Sequence, residues 1–149
     1  MFDESIKQHL KEWIELWRLT DAAYNKLLKR WNLSTNAYFI LEMLQENPEG
    51  VEPAVLADKI NIVRPAVTVI LNDFESKKLI LRKEHKTDHR RKHILLSANG
   101  RRFADEVINA VHEIEMAGVA QMTSAERKAI IESSVKYYQV IKNAADNPA

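Results

Sequence analysis

The sequence predicts a mainly α-helical fold carrying one small β hairpin, on three observations. Three glycines and four prolines in 149 residues leave too few turns for a sandwich or a barrel. Apolar residues recur at spacings of three and four through most of the chain, the period of a single helix face. Segments that read as strands are confined to "LILRKEHK" and "RKHILLS". At this length the simplest organisation is one domain over residues 1–149, large enough to bury a real core.

Leu10, Trp13, Trp17, Thr20, Tyr24, Leu27 and Trp31 form one seam on a first helix of about seven turns, over about 5–31. Ser34 is a good N-cap for a second helix bearing Ala37, Ile40, Leu41 and Leu44. Asn47-Pro48-Glu49-Gly50 stops it. A short helix follows in "EPAVLADKI", with Pro53 in its first turn, where a missing N–H costs nothing. Asn61 stands where a left-handed C-cap is wanted. "VRPAVTVILNDFESKK" then buries Val67, Ile70, Leu71 and Phe74, and turns Arg64, Pro65, Thr68, Val69 and Asn72 to the opposite side. Two short helices across a tight turn make a helix-turn-helix, whose second helix would be the reading helix.

The two strands close a hairpin with Thr87-Asp88-His89-Arg90 at its tip. After Asn99-Gly100 the helical period returns through Phe103, Val107, Ala110, Ile114, Ala117 and Gln121. Thr123 with Glu126 is a capping box for a last helix along Ile130, Tyr137 and Ile141. This order of elements is that of a winged helix with long terminal helices, over about 5–31 and 101–144, around a central lobe at about 33–100.

Charge is distributed unevenly. The net charge is +1, yet residues 77–102 carry +8 and the remainder −7. A concentrated positive field steers polyanions. There is no cysteine, which removes disulfides, thiolate metal sites and thiol redox chemistry. No uncharged apolar run approaches the ~20 residues of a spanning helix. The amphipathic N-terminus lacks the apolar core of a signal peptide. A cytoplasmic protein without membrane contact is expected.

On these residues the chain resembles the multiple-antibiotic-resistance regulator (MarR) family of bacterial transcription factors. Its wing pattern is matched by Asp88-His89-Arg90, Leu96-Ser97 and Gly100, and its reading helix by Val67-Thr68 and Phe74-Glu75. "LSTNAYFIL" and "MTSAERKAI" resemble the openings of the family's second and last helices. There are three departures. Val63 replaces the usual capping Ser or Thr, Lys78 stands where Gly usually ends the reading helix, and Val69 takes a commonly polar position.

The resemblance implies a homodimeric DNA-binding regulator, a repressor released by a small molecule, acting on a pseudo-palindromic duplex operator. Arg64, Pro65, Thr68, Val69 and Asn72 would face the major groove. His89, Arg90 and Arg91 would lie on the wing, with Asp88 orienting the Arg90 guanidinium. Lys77, Lys83, Lys86 and Lys92 would contact phosphates. The terminal helices would pair two subunits. Small aromatic effectors would bind near Trp13, Trp17 and Tyr38.

Rival readings come from other classes. An apolar reading helix (Pro-Ala-Val-Thr-Val-Ile) also suits a winged-helix protein–protein adaptor. His85, His89 and His93, spaced by four, raise a metal-responsive regulator, but that spacing separates side chains on strands and a turn, so no metal or other cofactor is expected. His112 with Glu113 and Glu115 is weaker still. No Gly-rich phosphate loop, thiolate or paired-carboxylate motif supports an enzyme.

Overall fold

The structure is a computed structural model and describes residues 2–148. Helix α1 (Glu4–Leu28) opens where the Asp3 carboxylate accepts the Ser5 N–H at 3.1 Å. It passes into a 3-10 turn, Lys29–Trp31, which Asn32 ends in the left-handed region at φ 56°. Trp31 therefore leaves the α-helical seam expected of it. It donates its indole N–H to Glu106 at 3.1 Å.

Helix α2 (Thr35–Glu46) starts where Ser34 Oγ accepts the Ala37 N–H at 3.1 Å. Such a cap stabilises a helix by about 1 kcal/mol. Helix α3 (Pro53–Ile60) has Pro53 in its first turn and Asn61 as a left-handed cap at φ 58°. Helix α4 (Arg64–Ser76) begins at Val63 without a side-chain cap, as its sequence requires. It ends on Lys78 at φ 57°, a conformation glycine would adopt without strain.

Strands β1 (Ile80–Glu84) and β2 (Lys92–Leu96) pair antiparallel with Arg82 opposite Ile94. Val51 adds a bridge to Ile94, joining the segment before α3 to the hairpin. Gly50 makes this approach possible: its φ is 108°, and a Cβ there would lie 2.9 Å from the His93 Cβ.

Helix α5 (Ala98–Ala120) begins earlier than the sequence suggested, so Asn99 and Gly100 are in its first turn and not before it. Ser97 does the capping: its Oγ accepts the Gly100 N–H at 2.9 Å and donates to the Lys78 carbonyl at 2.7 Å. A Cβ on Gly100 would meet the Leu79 carbonyl oxygen at 1.8 Å, so the close approach itself demands glycine. Helix α6 (Ser124–Asp146) opens on the expected capping box, with Glu126 N–H to Thr123 Oγ1 at 3.2 Å and Thr123 N–H to Glu126 at 2.7 Å.

The chain divides into two compact units, one through Val107 and one from Ile108. The first holds Leu28, Ile40, Leu41, Leu56, Phe74 and Ile94, each with no exposed surface. Burying a side chain of this size stabilises by about 1.5–3 kcal/mol. Ile70 is only half-buried, so the inward stripe of α4 is Val67, Leu71 and Phe74. In the second unit α6 buries none of its described residues, and Ile131, Tyr138 and Val140 are exposed.

Candidate nucleic-acid interface

The buried stripe of α4 dictates what its other side shows. With Val67, Leu71 and Phe74 turned inward, Arg64, Pro65, Thr68, Val69 and Asn72 all come out exposed. The wing lies within side-chain reach of this face. Arg82 of β1 donates from Nε to Glu75 at 2.7 Å and from Nη2 to Asn72 Oδ1 at 3.1 Å. Arg82 therefore holds the last residue of the outward face. The sequence reading did not single it out, since only strand register reveals its aim.

Some cations of the helix-turn-helix and wing are paired, and others are not. Lys77 pairs with Asp73 at 2.8 Å, and Lys92 with Glu84 at 3.0 Å. His89 Nδ1 lies 2.9 Å from Glu84, and Arg91 pairs with Glu52. Arg64, Lys83, Lys86 and Arg90 form no ion pair among the described residues, and all four are exposed. These four are free to meet a polyanion without first breaking a bond.

The carboxylates respond to their partners. Arg91 hydrogen-bonds Glu52 and, with the charges of His93 and His85, holds its carboxyl below the usual range of about 4.5. Lys92 and His89 do the same to Glu84. Glu84, Lys92, His89 and Arg91 are exposed and Glu52 is half-buried, so solvent screens the effect.

At the wing tip Asp88 acts differently from expectation. Its Oδ1 accepts the Arg90 backbone N–H at 3.0 Å, and its carbonyl accepts the Arg91 N–H at 3.0 Å. The acid shapes the turn and does not grip the Arg90 guanidinium. A short Asx side chain reaches the backbone two residues on more readily than a neighbouring side chain.

The histidines are also arranged otherwise than spacing suggested. His85 and His93 come together edge to face, with ring centroids 5.1 Å apart, because the hairpin folds one strand beside the other. His93 Nε2 stands 3.6 Å from Glu52, while His85 Nδ1 serves Thr87 Oγ1 at 3.0 Å. His89 turns away to Glu84. No group of three or more His, Asp or Glu among the described residues is placed to hold a metal ion.

Trp13 and Trp17 stack at a tilt, 5.5 Å between centroids, with Trp17 exposed, whereas Tyr38 is buried in α2 beside Phe39. A groove of about 600 Å³ lies elsewhere, lined by Phe39, Met43 and Ile60 with Glu42, Glu46 and Lys59, and includes none of the three.

A helix-turn-helix with a basic two-stranded wing, carried between long helices, defines a winged helix-turn-helix protein. The model of the MarR family matches residues 31–91 of the chain. No curated protein sequence matches the chain. Among solved structures it is similar to the MarR family transcription regulator SP03579, at 20% identity over 97% of this chain and 95% of that one, TM-score 0.82. MepR of S. aureus in complex with DNA is similar at 20% identity, 94% and 99% coverage, TM-score 0.73. BldR of Sulfolobus solfataricus follows at 22% identity, 93% and 99% coverage, TM-score 0.71. At these identities the likeness is one of fold.

Proposed function

We propose that the chain is a sequence-specific, DNA-binding transcriptional regulator acting as a homodimer. The observation that carries this is the exposed face of α4 set beside a wing with unpaired Lys83, Lys86 and Arg90, inside the segment that matches the MarR family. That MepR shares the fold and is solved on DNA supports the same use of these elements here.

Base edges would be read by Arg64, Pro65, Thr68, Val69 and Asn72, with Arg90 entering the narrow minor groove, where the potential is most negative. Lys83 and Lys86 would bind phosphates directly. Lys77, Lys92, His89 and Arg91 would do so after releasing acidic partners, and Asp88 would set the tip that presents Arg90. The bare apolar positions of α1 and α6 would be covered by a second copy through an isologous contact, the commonest closure. Both units would then act as one regulatory domain, cytoplasmic and without catalytic chemistry. Release from the operator by a small aromatic effector near Trp13, Trp17 and Tyr38 completes the repressor reading.

Selection of bound sequences from a random duplex pool tests the proposal and reads the operator together. An enriched pseudo-palindrome supports it. Failure to retain any duplex at low salt overturns it in favour of an adaptor that docks protein on α4.

A further inference from the structure

The outward face of α4 is poor in free hydrogen-bonding groups. Val63 is 70% exposed and Val69 is 69% exposed, neither with a polar atom in its side chain. Pro65 has no N–H. Thr68 donates its hydroxyl to the Arg64 carbonyl at 3.2 Å, so its one side-chain proton is spent on its own helix. Asn72 Oδ1 already accepts from Arg82, which Glu75 holds in place. Reading adenine with both amide groups needs that oxygen to accept from N6 while the nitrogen donates to N7. With its oxygen engaged, Asn72 is left chiefly as a donor.

One major-groove feature suits such a face: the C5-methyl of thymine, which offers no hydrogen bond and favours apolar contact. We infer that α4 selects its site through thymine methyls packed against Val63, Thr68 and Val69. Arg64 and the Asn72 amide are the remaining donors at the edges of the patch. An apolar protein partner fits less well. Arg64 on the same helix, and Lys83, Lys86 and Arg90 on the hairpin that reaches it through Arg82, are exposed without ion pairs, and covering unpaired cations with an apolar surface is costly. Phosphates would neutralise the same charges. The inference rests on the DNA-binding reading above and deepens it.

The test replaces thymine by deoxyuridine, which removes the C5-methyl and nothing else. The best duplex from the random-pool selection is made with dU at single dT positions of each half-site, and Kd is measured for wild type, Val69→Ala and Val63→Ala. Circular dichroism checks that the variants keep their helix. Wild type should lose about fourfold in affinity at each contacted methyl, the worth of one buried methyl group. Val69→Ala should weaken binding to the dT duplex by a similar factor or more and become indifferent to dU at one position. Val63→Ala should become indifferent at a different position. Equal binding of dT and dU duplexes by wild type overturns the inference, and so does an undiminished dT preference in both variants. In those two cases specific duplex binding persists and the regulator reading survives. Absence of binding to any duplex overturns both.

Discussion

The Arg91 guanidinium is bonded to the Glu52 carboxylate across 39 positions of sequence, fastening the wing to the residue before α3. The wing is therefore held against the helix-turn-helix by charge as well as by the Val51–Ile94 bridge. Since Glu52 is held below its ordinary value of 4.5 in the folded chain, its ion pair favours the folded wing above that range. That contribution is lost as pH falls through the lowered value. Carboxyl NMR titration should place the Glu52 midpoint below 4.5, and Arg91→Ala should raise it. An unchanged midpoint in the variant would remove the tether.

Arg90 and Asp88 make separable predictions. Arg90→Ala should lower duplex affinity and flatten the dependence of log affinity on log salt by about 0.9 for a lost phosphate contact. A larger loss on A·T-rich flanks would place the side chain in the minor groove. Asp88→Ala should weaken binding although it removes a negative charge, because the Arg90 N–H loses its acceptor. Asp88→Asn keeps that acceptor and should retain most of the affinity. Tighter binding by Asp88→Ala would show the acid to be merely repulsive.

The glycines of α5 should respond in opposite directions. Gly100→Ala forces a Cβ into the Leu79 carbonyl and should cost about 3 kcal/mol or more, read as a lowered denaturation midpoint. Gly118→Ala meets nothing within 4 Å, lies inside α5, and should stabilise by about 0.5–1 kcal/mol.

Lys78 occupies a left-handed position without being glycine. Lys78→Gly should raise stability by about 0.5–1 kcal/mol, as relief of the Cβ clash exceeds the added freedom of the unfolded chain. Urea denaturation at unchanged m-value would read it. A decrease would mean that the lysine side chain makes a compensating contact.

Light scattering tests the dimer. Leu10, Leu16 and Trp17 on α1, and Ile131, Tyr138 and Val140 on α6, are 41–66% exposed in the single chain. A dimer at micromolar concentration is expected, and a stable monomer there would contradict the pairing.

Local chemistry was legible in the residues alone. Ser34, Asn61 and the Thr123–Glu126 box act on groups within four residues of themselves, so their neighbours in sequence suffice to predict them. The inward stripe of α4 followed from period, and with it the outward set from Arg64 to Asn72, apart from half-buried Ile70. The missing cap at Val63 was equally plain. Only the tertiary structure decided which partner each long or charged side chain takes. Asp88 bonds backbone and not guanidinium, Arg91 reaches Glu52, Arg82 holds Asn72, and His85 meets His93 across the hairpin. Gly100 belongs with these: it looked like punctuation before a helix, yet it is required by the Leu79 backbone pressed against it. A flexible ionised side chain can satisfy itself with any opposite charge that the fold brings within about 4 Å. Composition and spacing count the candidates, but strand register and helix packing choose among them.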